Sequence, residues 1–522
     1  MTHDAADTHV PHSDARITPV RSRRRLLGLI LAGGAAPAFI GRAVAAQPGS
    51  PLPVPPLLDL DASAPQRLEA MAGRREFLAG ARADVLGYGQ GFLGPALRMT
   101  RGRAARIDLV NRLDEPTTVH WHGLHVPGEL DGGPQSAIAP GARKSLSLLV
   151  DQPAATYWYH AHQHGRTAPQ VYAGLAGLLI LDDPRAADAS LPQRWGVDDL
   201  PLVIQDRAFT RGGQLAYSAM GPTMMDGFKG SHILVNGALQ PQARVPAAWV
   251  RLRLLNGSNA RIYQLHFDDG RALQQIASDA GRLPVPVAHT RLLLAPGERA
   301  EVLVDFSSGS GARLLSAPDT NGHMADMMGA AASPPAVGEG GVFEVMRFAT
   351  EPAGTGAARA LPARLAGAAL APDWPAAVRR RVFTLDAHGG MRAGRGRGPM
   401  GGMAGMGRAG SMGGMMTING RSFDMGRLDF ATRRGEVERW EVRTEGMAHP
   451  FHVHGTLFQI LSLDGVKQDF ARTGWKDTVL VQDRAELLVR FSQRADRATP
   501  YMLHCHILEH EDAGMMAQFS VA

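Results

Sequence analysis

The stretch "YMLHCH" (501–506) near the C-terminus has a counterpart in "YWYHAH" (157–162). Both are apolar runs that close on a His-x-His pair. In the first, the residue between the histidines is Cys505, the only cysteine of the 522-residue chain. In the second it is Ala161. Successive side chains of a strand point to opposite faces. His504 and His506 therefore face one way and the Cys505 thiol the other. A second pair of matched motifs lies upstream of each hexapeptide, "HWHG" (120–123) and "HVHG" (452–455). The two ends of the chain are thus copies of one β-rich unit.

A third copy is legible between them. "RKSLSLLVD" (143–151), "RAEVLVDF" (299–306) and "RAELLVRF" (484–491) alternate polar and apolar residues, as half-buried strands do. Each is preceded by another such strand, "ARIDLVNRL" (105–113), "WVRLRLLNGS" (249–258) and "GEVERWEVR" (435–443). A repeat of roughly 150 residues means three homologous β domains rather than a solenoid. Turn signals such as Pro140-Gly141, Asn256-Gly257 and Pro296-Gly297 favour antiparallel sandwiches. Domain one is placed at about 50–185, domain two at about 195–350, a linker at 351–377 and domain three at about 378–522. The segment 389–416 is almost all Gly, Met, Ala and Arg and is read as a loop without a core of its own.

The N-terminus reads as a targeting segment. "SRRRLLGLILAGGAAPAFIGRAVAA" (22–46) joins an arginine cluster to a short apolar run and a small-residue site at Ala43-Val44-Ala45. Its Ser-Arg-Arg-x-Leu-Leu order is similar to a bacterial twin-arginine signal, so residues 1–46 are expected to be removed on export to the periplasm. They hold six Arg and three acids, so the formal charge falls from +6 to +6 − 3 = +3. That excludes a nucleic-acid footprint. No apolar run of the remaining chain is long enough for a membrane span, and a monomer is expected. One cysteine in an exported chain makes no internal disulfide. Its thiol is free, reactive or a metal ligand.

Ten of the 20 histidines fall into four clusters: His120 and His122; His160 and His162; His449, His452 and His454; His504, His506 and His510. One His-x-His pair means little, but two pairs in each terminal domain align through the repeat. The middle domain reads "ARLLSAPDT" (312–320) where the others carry histidine. Eight imidazoles meeting at one interface suit copper or zinc. Zinc usually stops at four ligands, and eight suit three metals with open positions. On the other face of the strand, His449, Cys505, His510 and Met515 supply two imidazoles, a thiolate and a thioether, the donor set of a blue-copper electron-transfer site. One stretch of backbone joins that site to both sides of the cluster.

With "HWHG", "HAH", "HPFHVHG" and "HCHILEHEDAGMM" present in order, the chain resembles the three-domain multicopper oxidases, near the bacterial laccase-like copper efflux (cuprous) oxidases. The resemblance implies three cupredoxin-like Greek-key β-barrel domains and an all-β fold. It implies four copper ions. A type 1 ion would take His449, Cys505, His510 and Met515. A type 2 ion would take His120 and His452. A type 3 pair would take His122, His160 and His506 on one ion and His162, His454 and His504 on the other. It further implies oxidation of a donor one electron at a time, reduction of O2 to water, and proton relay by Asp131 and Glu511. The donor is open to Cu(I) or to phenols and aryl amines. Of 22 methionines, eight lie between Met391 and Met425, and thioethers select Cu(I). "TEGMAHP" (444–450) offers Glu445 and Met447 as a substrate-copper site, although Glu445 stands where the family leads one to expect Asp. "HMADMMG" (323–329) is a second soft patch. A phenol laccase, a copper-sequestering resistance protein and a copper-free structural protein of the cell envelope are the competing readings.

Overall fold

The structure is a computed structural model that describes residues 49–60, 64–321, 341–358, 360–387 and 416–522. The expected signal segment, the patch 323–329 and nearly all of the Met-rich segment lie outside the described residues. Strand dominates, as the alternating patterns require. Six sheets fall in sequence order into three pairs. No helix among the described residues is long and apolar enough to cross a membrane.

The first pair holds a four-stranded sheet, built on Gln66–Leu78 and Ala104–Asn111, and a five-stranded one that ends on Ala155–His160 and His120–His122. The last pair repeats this plan. Its five-stranded sheet carries His449–Val453 beside Tyr501–Cys505. The registers are equivalent: His120 pairs with His160 in one, and His452 with His504 in the other. The corresponding middle strands, Tyr263–Phe267 and Ala312–Ala317, pair Leu265 with Ser316 and carry no His-x-His. The fold is all-β with three cupredoxin-like domains.

The alternation expected for "RAEVLVDF" is only half right. Arg143–Leu149 and Arg484–Arg490 do turn exposed or half-buried positions to solvent. Arg299–Asp305 is buried at every position but its last. Its polar side chains meet protein instead of water. Glu301 accepts from Arg253 Nη1 (3.0 Å) and from Thr156 Oγ1 of the first domain (2.6 Å), and it also pairs with Arg251. Arg253 in turn forks onto Asp199 at 2.7 and 2.8 Å. Burial opposes the Glu301 charge, but Arg251 and Arg253 outweigh it and hold the carboxyl down at about 2. Sequence alternation marks polar and apolar faces; it does not say whether the polar face meets solvent or another domain.

Two connecting segments pack against the sheets. Met416, read as the end of the Met-rich loop, is fully buried among Phe383, Ile418 and Met515. The linker is docked: Leu365 N and Ala369 N donate to the carbonyls of Pro284 and Arg282 (3.2 and 2.8 Å).

One glycine shapes the entry to the histidines. Gly132 ends the short helix Gly128–Asp131 at φ +83°, and a Cβ there would lie 1.8 Å from the Val119 carbonyl oxygen. Gly132→Ala should cost roughly 2–4 kcal/mol, from left-handed strain and the clash together. The check is a lowered urea midpoint with an unchanged m-value.

Candidate metal centre

The two-residue period sorts the donors as the strands demand. On Tyr501–Cys505 and its continuation, His504 faces the first domain. Its Nε2 lies 3.3 Å from His162 Nε2 and 3.2 Å from His454 Nε2. Cys505 faces its own domain. Its Sγ lies 3.3 Å from His449 Nδ1 and 3.6 Å from His510 Nδ1, and those two nitrogens are 3.2 Å apart. His449 and His452, three apart on His449–Val453, likewise project to opposite faces. Met515 is fully buried in the core that holds Cys505, and its carbonyl accepts the Cys505 amide at 3.1 Å.

Around the interface, the donor atoms of His162, His454 and His504 form one close group. Those of His120, His452 and His454 form a second, and those of His120, His122 and His160 a third. The His506 ring centroid lies 5.1 Å from that of His122 and 5.5 Å from that of His160. All ten histidines are buried. The structure thus brings the ten histidines and Cys505 into two neighbouring sets, joined through residues 504–506.

The donors fit copper on three counts. Nitrogens about 2.0 Å from a shared ion stand roughly 3.3–3.5 Å apart, as here. The outward nitrogens are tied down: Nδ1–H of His120, His160, His452 and His504 donates to the carbonyls of Asp131, Ala161, Asp477 and Cys505 at 2.8 to 3.0 Å. His510 Nε2–H donates to the Met225 carbonyl at 2.9 Å. That fixes the tautomers and turns the bare lone pairs inward. Nε2 of His120 and His452, and both nitrogens of His506, meet no hydrogen-bond partner among the described residues, a costly arrangement for buried polar atoms unless something occupies the space. Burial first, then the neighbouring imidazoles and Arg299, pushes His122 well below the ordinary histidine range. Burial and neighbouring imidazoles do the same for His160, His162, His452, His454 and His504, and His506 falls to about 3. Neutral imidazole is the ligating form. Burial likewise raises the Cys505 thiol, so a metal must displace its proton.

Both acids singled out in the sequence are here. Asp131 Oδ2 lies 2.7 Å from His454 Nδ1 and 3.6 Å from His120 Nδ1. Glu511 lies 3.5 Å from His162 Nδ1 and 3.3 Å from His504 Nδ1. Burial, reinforced by Asp512 and Glu509, pushes its carboxyl well above the usual range. Met447 is buried against the core around Cys505, and the half-buried Glu445 ends the strand Val437–Glu445.

Sequence reasoning missed Asp477 and its partner. Asp477 is fully buried, with Oδ1 3.0 Å from His122 Nε2 and 3.7 Å from His452 Nδ1. Arg299, from the middle domain, holds it with two hydrogen bonds of 2.7 and 2.5 Å. Burial opposes the Asp477 charge, but Arg299 overrides it and keeps the carboxyl at about 2. Gly297, at φ +81°, lets the same turn press against the His506 ring, where a Cβ would come within 2.8 Å. The domain without paired histidines therefore braces the cluster. Met225, on the middle-domain helix Pro222–Asp226, was missed for the same reason. No spacing rule flags these residues, because each acts across a domain boundary.

With that geometry in view, the kinship is plain. Family models described as multicopper oxidase match residues 69–186 and 403–522, the portions that carry the histidine pairs. The chain belongs to the multicopper oxidase family. Among its relatives, a cell division protein FtsP from Sodalis glossinidius is 38% identical, over 96% of this chain and 98% of that protein. Among solved structures, a bacterial laccase-like multicopper oxidase, CueO, from an Ochrobactrum species is 40% identical. It has a TM-score of 0.78 and covers 90% of this chain and 100% of its own; it is described as having oxidase activity towards lignin model compounds and lignosulfonate. A multicopper oxidase from Campylobacter jejuni, described as a metallo-oxidase, shares 26% identity at a TM-score of 0.76, over 91% of this chain and 95% of its own.

Two expectations follow. Asp477→Asn leaves the buried Arg299 with only the more distant Asp279 carboxylate at 3.6 Å, which should cost about 3 kcal/mol and weaken copper uptake by His122 and His452 about 10- to 100-fold. Metal analysis and the blue absorption band, measured side by side, should show the thiolate site retained. The second concerns acid. The buried imidazoles titrate below the unfolded value of about 6.5. Below that pH the unfolded chain binds protons that the folded chain does not. The copper-free protein should keep its full stability above about pH 6.5 and lose it progressively below, read as a falling urea midpoint.

Proposed function

We propose that the chain is an exported copper oxidase that takes single electrons from a donor at the Cys505 side and delivers them to O2 at the imidazole cluster. The observation that carries this reading is the split of one strand. Cys505 meets His449 and His510 on one face, and the flanking His504 meets His162 and His454 on the other. Copper would be held by His449, Cys505, His510 and Met515 as type 1, by His120 and His452 as type 2, and by the remaining six imidazoles as the type 3 pair. Bound there, four coppers supply one-electron acceptance and four-electron reduction of O2 to water.

The protein's own contribution is positional and protonic. Asp131, Asp477 and the backbone carbonyls aim the imidazoles. Glu511, kept protonated by its surroundings, holds an acidic proton beside His162 and His504. Asp131, beside His454 and His120, is the second acid assigned to the proton relay.

Cu(I) is the donor we favour, with phenols and aryl amines second. Eight methionines lie between Met391 and Met425, and Met447 and Glu445 stand just ahead of His449. The metallo-oxidase relative points the same way, and the lignin-active relative supports the phenol arm. A second reading comes from the relatives named cell division protein, which span nearly the whole chain. On that reading the folded surface acts at the division site and electron transfer is dispensable.

Oxygen uptake by copper-loaded protein, with Cu(I) and then a phenol as donor, separates the oxidase readings. Deleting 389–415, which spares the buried Met416, should lower Cu(I) turnover several-fold and leave phenol turnover equal or higher; unchanged Cu(I) turnover rejects the Met-rich segment as a copper collector. Cys505→Ser should abolish the blue band and O2 uptake with either donor. If cells carrying it keep normal copper tolerance yet need the protein to divide, the second reading replaces the first.

A further inference from the structure

A cleft of about 590 Å³ lies where the first and last domains meet, away from the thiolate side. Its walls include Arg101 and His125 from the first domain, Trp374 from the joining segment, and Trp475, Arg434 and Arg490 from the last. We propose that this cleft binds a planar aromatic carboxylate at a site separate from electron entry.

The aromatic walls come first. The Trp374 and Trp475 ring centroids are 5.3 Å apart with planes tilted by 41°, and both indoles are half-buried. Phe470 backs Trp475 edge-on at 5.2 Å, which holds that indole in place. Two fixed indoles favour a flat ring over an aliphatic chain.

The charge selects an anion. Arg434 and Arg490 are exposed and have no carboxylate partner among the described residues. The Arg490 guanidinium lies 5.9 Å from the Trp374 ring centroid, so its donors sit beside the aromatic wall. Arg101, by contrast, is neutralised by Asp151 and Asp183 at 2.6 and 3.1 Å. A free guanidinium beside an indole matches a carboxylate attached to a ring. His125 Nε2, on the same wall, is buried without a hydrogen-bond partner among the described residues. Burial holds that imidazole neutral, pushing it down to about 4, so it offers a hydrogen bond rather than a charge. The volume suits a ligand of one or two rings.

The position separates this site from electron entry. Gln152, which lines the cleft, donates to the Gly123 carbonyl next to His122. Trp475 is two residues from Asp477, which touches His122. The cleft therefore adjoins the imidazole cluster, whereas His510, beside Cys505, faces Met225 of the middle domain.

The test uses the copper-loaded full chain and naphthalene-2-carboxylate, followed by calorimetry and by quenching of the tryptophan fluorescence. Saturable binding at or below millimolar concentration is expected, with at least tenfold weaker binding by the uncharged naphthalene-2-carboxamide. Arg434→Gln with Arg490→Gln should weaken the acid at least tenfold and leave the amide unchanged, because both side chains are at the surface. Trp374→Ala should weaken both ligands. Saturating carboxylate should leave the KM for a phenol donor unchanged. The proposal is overturned if acid and amide bind equally, if either set of substitutions leaves affinity intact, if no saturation is reached, or if the carboxylate raises the donor KM competitively.

Discussion

The whole arrangement rests on side chains alternating across one strand. Between His504 and His506 the chain advances by only two residues, yet it serves two metal-binding environments, because Cys505 must point opposite to its neighbours. Any slip of register by one residue would turn the thiol into the interface and both imidazoles into the core of the last domain. The ladder prevents that slip. Phe451 pairs with Cys505 and His452 with His504 on one side of the strand, and His504 pairs with Met516 on the other. The apolar residues that lock this ladder, among them Phe451, Leu503 and Phe519, are fully buried.

Gathering ten neutral imidazoles and a thiol in a dry interior works against folding, and the surrounding structure compensates. The outward nitrogens of His120, His122, His160, His452, His454, His504 and His510 find a carbonyl or carboxylate, so desolvation is offset on one side of those rings, and the inward side is left for metal. The middle domain braces the cluster without contributing a paired histidine. Its Arg299 anchors Asp477 from behind, and its Arg251, Arg253 and Glu301 knit it to the first domain. Buried ion pairs of this kind add little net stability. Their value lies in geometry, since only one docking satisfies every charge.

The helix Leu508–Asp512 ties the two metal environments to the same brace. Glu509 accepts from Asn259 (2.8 Å), Tyr217 (3.0 Å) and the Phe228 amide (3.1 Å), all in the middle domain. Asp512 accepts two amides at Thr167 and Ala168 of the first domain (3.0 and 2.8 Å). One turn of helix thus carries His510 toward the thiolate, Glu511 toward the cluster, and anchors to both other domains.

The sequence motifs carried the resemblance to the family, the all-β class and the candidate donor residues. Period-two alternation needs no tertiary information, and four His-x-His motifs with a lone cysteine admit few chemistries. In the structure the matched motifs "HWHG" and "HVHG" take equivalent registers, which pair His120 with His160 and His452 with His504. Tertiary structure alone decided which polar residues face protein. Arg299 and Glu301 read as the solvent face of an alternating strand and are in fact interdomain braces. Asp477, in "GWKDT" (474–478), sits in no motif that the sequence singles out, yet it lies against His122. The cleft of Trp374, Trp475 and Arg490 likewise draws its walls from residues more than a hundred positions apart. The physical reason is the same in each case: a sequence records which side of a strand is polar, and only the packing of domains determines what that side touches.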